Sequence, residues 1–357
     1  MTGSEGNSCP NGRVDLWKDH GPALTLNNTA YEEVLFENHL HAALDTYAAP
    51  SGPKSQGRPL FMHYAPHLIH DPYEVPANWL AKFDFIKQAG NDIKGLRQVY
   101  AAMTHYMDAV VGNLTRHMQS LDLWNSTLMI GVSDNGGPIQ GGSGANNYPL
   151  RSGKFSWFEG GVRVNAFLGG GILPTPVRGT RTQQLMHVAD IWGTLAEAVG
   201  QPLADPVAAA AGLPQLDSIS FWSSVVLRNA SGVLPRQGLL VGSVYWDSTG
   251  LKLHNGGGNA VWQSPTYPNA STNFSANADT HVKCGKGGCL YDVLNDIGEH
   301  VDLAAARPAD VKRLAAEKAA MAAHAWGAGS GMRGHGTDPR ACAAIDTYHG
   351  FWGPWVQ

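Results

Sequence analysis

Ser126-Thr-Leu-Met-Ile-Gly-Val-Ser-Asp-Asn-Gly-Gly137 reads as a strand with a site at its end. From Ser126 to Ser133 the run is apolar and β-branched between polar flanks, as expected of a central strand covered on both faces. Asp134-Asn135-Gly136-Gly137 then falls at the strand's carboxyl end, where open α/β sheets place their sites, and the glycines let the backbone turn sharply beside a ligand. Asp134 and Asn135 offer hard oxygen ligands suited to Ca²⁺ or Mg²⁺. Such an ion takes about six or more oxygens, so other ligands must come from elsewhere. Taken alone, Asp-Asn-Gly-Gly is also simply a good turn.

Outward from that strand, Tyr31 to Tyr47 is amphipathic with helical spacing and leads to Arg58-Pro-Leu-Phe-Met-His-Tyr-Ala65, which reads as a buried strand. Between about Ile93 and Leu121, Leu96, Tyr100, Met103, Met107, Val110, Val111 and Leu114 recur at helical spacing. A strand over Val164 to Leu168 and a helix from His187 to Val199 follow. This alternation predicts an α/β domain with a largely parallel sheet as far as about Arg228. Further on, Leu239 to Trp246 and Leu251 to His254 flank the hairpin signal Asp247-Ser-Thr-Gly250, and Pro308 to His324 is a last amphipathic helix. The expected division is 1–232 for the α/β part and 233–357 for a small antiparallel sheet with one helix.

Composition bounds the function. A chain of 357 residues, 43% apolar and 15% charged, can bury a substantial core. A formal charge of -4 gives no general handle for nucleic acid, so a bound anion must be met by a local cluster of cations. No apolar stretch reaches the roughly 20 residues of a membrane span, and Val162 to Leu173 is broken by Arg163, Asn165 and glycines. Met1 to Ser8 has neither the basic start nor the apolar centre of a secretory signal. Glycosylation acceptor sequences nevertheless occur at Asn27, Asn113, Asn125, Asn229, Asn269 and Asn273. Cys9, Cys284, Cys289 and Cys342 lack zinc spacing and favour disulfides or unpaired thiols, and Cys284 with Cys289 could close a short loop.

Two further segments carry candidate chemistry. Within Asn147-Tyr-Pro-Leu-Arg-Ser-Gly-Lys-Phe-Ser-Trp-Phe-Glu-Gly-Gly-Val-Arg163, the cations Arg151, Lys154 and Arg163 sit among aromatics and glycines and could receive an anionic ester oxygen. The plainer reading is a set of surface cations paired with Glu159 and other acids. Upstream, His67 and His70 lie on a loop where most histidines are structural or solvated.

Together these segments resemble the type I sulfatases of the arylsulfatase B kind. Leu123-Trp-Asn-Ser-Thr127 through Asp134-Asn-Gly-Gly137 is similar to the family's metal-ligand strand, and Pro149-Leu-Arg-Ser-Gly-Lys154 with Trp157-Phe-Glu-Gly-Gly-Val-Arg163 to the segment that follows it. His70-Asp-Pro-Tyr-Glu-Val-Pro76 resembles the family's H-x-P-L-x-x-P loop, which favours His70 over His67. Leu290-Tyr-Asp-Val-Leu-Asn-Asp296 with Glu299, Asp302 and Leu303 resembles its carboxyl-terminal L-Y/F-D-x-x-x-D-P-x-E-x-x-N/D-L motif, with Ile297 in place of proline. Phe351-Trp-Gly-Pro-Trp355 is also similar to the end of arylsulfatase B.

The resemblance implies an alkaline-phosphatase-like α/β sandwich, here incomplete, with a smaller antiparallel domain. It implies a divalent cation, Ca²⁺ or else Mg²⁺, on Asp134 and Asn135, and sulfate oxygens held by Lys154 and His70. The implied activity is hydrolysis of sulfate monoesters, on a sulfated small molecule or glycan, in the lysosome or outside the cell. The family's nucleophile is a formylglycine made from the cysteine of C-x-P/S-x-R. Cys9-Pro-Asn-Gly-Arg13 does not match that pattern, and the family's amino-terminal Asp-Asp pair and G-K-W-H segment have no counterpart. A late-started gene model, a fragment or an inactive, glycan-binding paralogue would each read this way. A phosphatase of the same superfamily would need a threonine or serine nucleophile, and the Lys154 segment speaks against it. The oligomeric state and the identity of the sulfated group stay open.

Overall fold

The computed structural model describes residues 14–88, 95–139, 143–227, 236–255, 284–324 and 339–354. These belong to two units, one drawn from Met1–Phe83, Ala101–Leu121 and Ala325–Gln357, the other from Asp84–Tyr100 and Asp122–His324.

In the first unit, the two-residue strands β1 (Trp17–Lys18) and β2 (Gly21–Pro22) form a hairpin, and Trp17 Nε1 donates to the Trp352 carbonyl. Helix α1 (Glu32–Ala48) opens with Glu32 and Glu33, whose charges suit the positive end of the helix dipole. Helix α2 (Leu96–Ser120), which belongs to this unit from Ala101 on, buries Ala102, Met103, Tyr106, Val110 and Met118. Of the positions read as its helical stripe, Met103 and Val110 are buried, and Leu96, Tyr100, Met107, Val111 and Leu114 are half-buried. Asn113 Nδ2 donates to Glu37 Oε1 at 2.7 Å, and the His41 and His117 rings stack with centroids 4.4 Å apart, so α1 and α2 meet through polar side chains. The strand expected over Arg58 to Ala65 is irregular chain, with Leu60 and Phe61 exposed. An apolar run becomes a strand only where a neighbour takes its ladder hydrogen bonds, and no described strand does.

In the second unit, β3 (Met129–Val132) pairs antiparallel with β4 (Ala166–Gly169), Ile130 opposite Leu168. This corrects two expectations. The described pairing here is antiparallel, and β3 is not covered on both faces, since Val132 is 44% and Phe167 48% exposed. A β-carbon at Gly131 would lie 2.2 Å from the Phe167 ring, so the glycine lets that ring cross the strand. Helix α3 (Asp190–Ala198) is anchored by buried Asp190, which receives Arg236 and the His187 and Ile219 amides.

The distal part forms an antiparallel sheet of β5 (Gly238–Val241), β6 (Val244–Asp247), β7 (Leu251–His254) and β8 (Cys289–Asp292), paired in that order, with α4 (Pro308–Ala322) against it. The single strand expected over Leu239 to Trp246 is two strands, because Gly242 at φ 56° turns the chain between them. Alternation divides the sheet's side chains. Tyr245, Leu251, Leu253 and Leu290 meet Leu314 of α4, while Val244, Trp246, Cys289 and Tyr291 meet Phe158 on the opposite face. Lys252 and His254 share that second face by the same period of two. Cys284 and Cys289 close the short loop before β8 as a disulfide, their α-carbons 5.0 Å apart.

Candidate functional site

Pairing of β3 runs one residue past Val132, where Ser133 N donates to the Asn165 carbonyl at 3.0 Å. The chain then turns. Ser133 Oγ donates to the Asn135 carbonyl and Asn135 Nδ2 to the Gly136 carbonyl, both at 2.9 Å, which leaves the Asp134 carboxylate exposed at the strand end. These are hard donors, right in kind for Ca²⁺ or Mg²⁺. Among the described residues no group of three or more His, Cys, Asp or Glu is placed to hold a metal, and Asp134 and Asn135 could supply only two of the about six oxygens such an ion takes.

Glycines bind this turn to the Lys154 segment. Gly136 N donates to Gly161 O at 3.0 Å, Lys154 N to Gly137 O at 3.2 Å and Gly160 N to Arg151 O at 2.8 Å. A β-carbon at Gly136 would lie 1.7 Å from the Gly160 carbonyl oxygen, one at Gly153 2.3 Å from that of Gly137, and one at Gly160 2.3 Å from that of Ser152. Only glycine lets three backbone segments approach so closely. Ser152 (φ 62°) and Phe155 (φ 71°) hold left-handed conformations on either side of half-buried Lys154, at about 1–3 kcal/mol each, strain of the kind found at functional sites.

Beneath the segment lies a buried charge network. Lys252 Nζ is 3.0 Å from Glu159 Oε1 and 2.7 Å from Glu299 Oε1, and none of the lysine is exposed. Trp246 Nε1 donates to Glu159 Oε1, the Glu159 amide to Glu299 Oε2, and Arg151 to the Glu299 carbonyl. Arg151 also lies over the Phe158 ring, and Arg163 is 3.7 Å from Glu159. Arg151 and Arg163, read from sequence as possible ester-oxygen contacts, thus both meet protein partners, closer to the plainer reading, though Arg151 is buried rather than at the surface while the Arg163 side chain is 37% exposed. Burial pushes the Glu299 carboxyl up against the pull of Lys252, and burial with the Lys252 charge drives His254, stacked on Phe158, down to about 3. Sequence reasoning missed Lys252, although the alternation in Leu251-Lys-Leu-His254 carried the signal.

His67 and His70 belong to the first unit. His67 is held by α1, its Nδ1 3.0 Å from Glu32 Oε2 and its amide donating to Glu33. His70 is exposed on its loop, with Nδ1 2.8 Å from the Asp71 carbonyl. Asp134, Asn135 and Lys154 lie in the second unit, the last joined to the turn through its backbone.

The family model described as Sulfatase matches residues 11–201 of this chain. The chain belongs to the sulfatase family. Arylsulfatase J of Mus musculus is 25% identical over 96% of this chain and 56% of its own length. Arylsulfatase A of Homo sapiens is 28% identical over 70% of the chain and 45% of its own. The crystal structure of Ps i-CgsB in complex with k-i-k-neocarrahexaose superposes with a TM-score of 0.59 at 20% identity, over 82% of this chain and 55% of that one. The chain therefore spans about half the length of these sulfatase relatives. Its fold is the alkaline-phosphatase-like α/β fold of the solved sulfatases. Sulfatases are in general metal-dependent. The Cys9 segment, where the nucleophile pattern fails, lies outside the described residues, as do Asn229, Asn269 and Asn273.

Proposed function

We propose that the whole protein hydrolyses sulfate monoesters, with Asp134 and Asn135 as ligands of a Ca²⁺, or else a Mg²⁺, and Lys154 and His70 as donors to the sulfate. One observation carries this reading: Lys154 is hydrogen bonded through its amide to Gly137, two residues after Asn135, so a cation and a pair of hard oxygen ligands are built into one glycine-packed knot. The Lys154 ammonium would donate to sulfate oxygens and offset the charge that grows as the sulfur–oxygen bond breaks. His70 would donate to the sulfate from its loop. The metal, when bound, supplies Lewis-acid polarisation of the sulfate.

The substrate is a sulfated small molecule or glycan. The arylsulfatase relatives support the first, and the relative solved with a neocarrahexaose supports the second. The Cys284–Cys289 disulfide supports an oxidising compartment, hence the secretory pathway, lysosome or extracellular space. No helix among the described residues is long and apolar enough to cross a membrane. We keep one alternative, a non-catalytic glycan-binding paralogue, because Cys9-Pro-Asn-Gly-Arg13 departs from the nucleophile pattern. An assay with a chromogenic aryl sulfate and added Ca²⁺ or Mg²⁺ tests both readings. In an active form of the protein, Lys154→Ala and His70→Ala should each lower turnover by about two orders of magnitude or more. Near-normal turnover by Lys154→Ala would reduce that residue to a surface cation, and binding of a sulfated glycan without turnover by any form would favour the alternative.

A further inference from the structure

Beside its backbone bonds, the joint between the Asp134-Asn135 turn and the Lys154 loop is bridged by one side chain. Asn147 Oδ1 accepts from the Gly137 amide at 3.1 Å, while its Nδ2 donates to the Gly137 carbonyl at 2.8 Å and to the Ser152 carbonyl at 2.9 Å. One orientation of the carboxamide alone suits all three, since the oxygen must meet the N–H and the nitrogen both carbonyls. The side chain thus pairs with Gly137 as a neighbouring strand would, and the same carbonyl receives the Lys154 amide at 3.2 Å. The packing is adapted to it: a β-carbon at Gly153 would lie 2.6 Å from Asn147 Nδ2, and one at Gly137 3.1 Å from Asn147 Oδ1.

We propose that Asn147 is a positioning residue for the sulfate site: it fixes the Asp134-Asn135 turn against the loop that presents Lys154, without touching substrate itself. This rests on the assignment of Lys154 to the sulfate. The left-handed conformations at Ser152 and Phe155 persist only where surrounding bonds over-determine them, and the bond from Asn147 to Ser152 is one of those bonds. Aspartate is nearly isosteric with asparagine. Asn147→Asp keeps the acceptor for the Gly137 amide but turns a carboxylate oxygen toward two carbonyls, and a proton restores one donor.

The test compares the full-length protein with its Asn147→Asp, Asn147→Ala and Lys154→Ala variants, reading calorimetric affinity for inorganic sulfate and for an aryl sulfate, thermal midpoint, and hydrogen exchange at the Gly137 and Lys154 amides. Asn147→Asp should bind both ligands about tenfold more weakly than the parent at pH 7, exchange faster at those two amides, and regain affinity relative to the parent at acidic pH. Asn147→Ala should stay weak at every pH, while both variants remain folded. Parent-like affinity in folded Asn147→Ala, or a loss in Asn147→Asp that acid does not relieve, would overturn the proposal. Equal sulfate binding by the parent and Lys154→Ala would instead sink the assignment of the lysine, and the positioning role with it, in a comparison that leaves Asn147 untouched.

Discussion

Two histidines show how surroundings set the sign of a pH effect. His254 titrates at about 3 in the folded chain because burial and Lys252 oppose its charge, against about 6.5 unfolded. Below pH 6.5 the unfolded state gains a proton that the native state refuses, so stability falls with acidification by about 1.4 kcal/mol per pH unit from this residue, or about 2 kcal/mol by pH 5. Urea unfolding at pH 6.5 and pH 5 should find that His254→Gln loses less stability over this interval than the parent; an identical loss would mean the ring is protonated in the native state. His67 runs the other way. Its contact with Glu32 raises its pKa, so its contribution is complete below the unfolded value and disappears as pH rises through the folded one. At Gly136 the constraint is steric. Gly136→Ala should cost about 2–4 kcal/mol, because the backbone must open around the Gly160 oxygen, and a thermal midpoint like the parent's would refute that packing.

At the scale of elements, β7 is the strand that braces the Lys154 segment from below, since its period of two delivers Lys252 to Glu159 and Glu299. Lys252→Met should cost about 3–5 kcal/mol at pH 7, because two carboxylates are left buried together. The cost should shrink as pH falls and Glu299, its carboxyl raised by burial, takes up a proton, and Lys252→Met/Glu299→Gln should recover part of it. Denaturant midpoints check this, and a cost independent of pH would contradict it. Helices were legible in the sequence wherever buried or half-buried positions recur at three and four, as in α2 and, around Leu314, in α4. Strands were legible less often, because a strand depends on a partner that local sequence does not name. Arg58 to Ala65 has the composition and no described partner, whereas Leu239 to Trp246 holds a hairpin whose only local mark is Gly242.

At the scale of the whole molecule, the candidate site was legible because its motifs pack turn residues, glycines and a lysine into short segments. Its support was not, since Lys252 and Glu299 meet Glu159 only through long-range folding. Because Cys9-Pro-Asn-Gly-Arg13 departs from the nucleophile pattern, residues 1–357 should hydrolyse no aryl sulfate at a meaningful rate, with or without Cys9→Ala. Robust turnover abolished by Cys9→Ala would make that cysteine the nucleophile. Diffraction from crystals of the full-length protein soaked with Ca²⁺ and a sulfate ester reaches the central claim most directly. The prediction is a cation bonded to side-chain oxygens of Asp134 and Asn135 at about 2.3–2.6 Å, with a sulfate oxygen within hydrogen-bonding distance of Lys154 Nζ. A sulfate bound elsewhere, with Lys154 Nζ left in solvent, would contradict it.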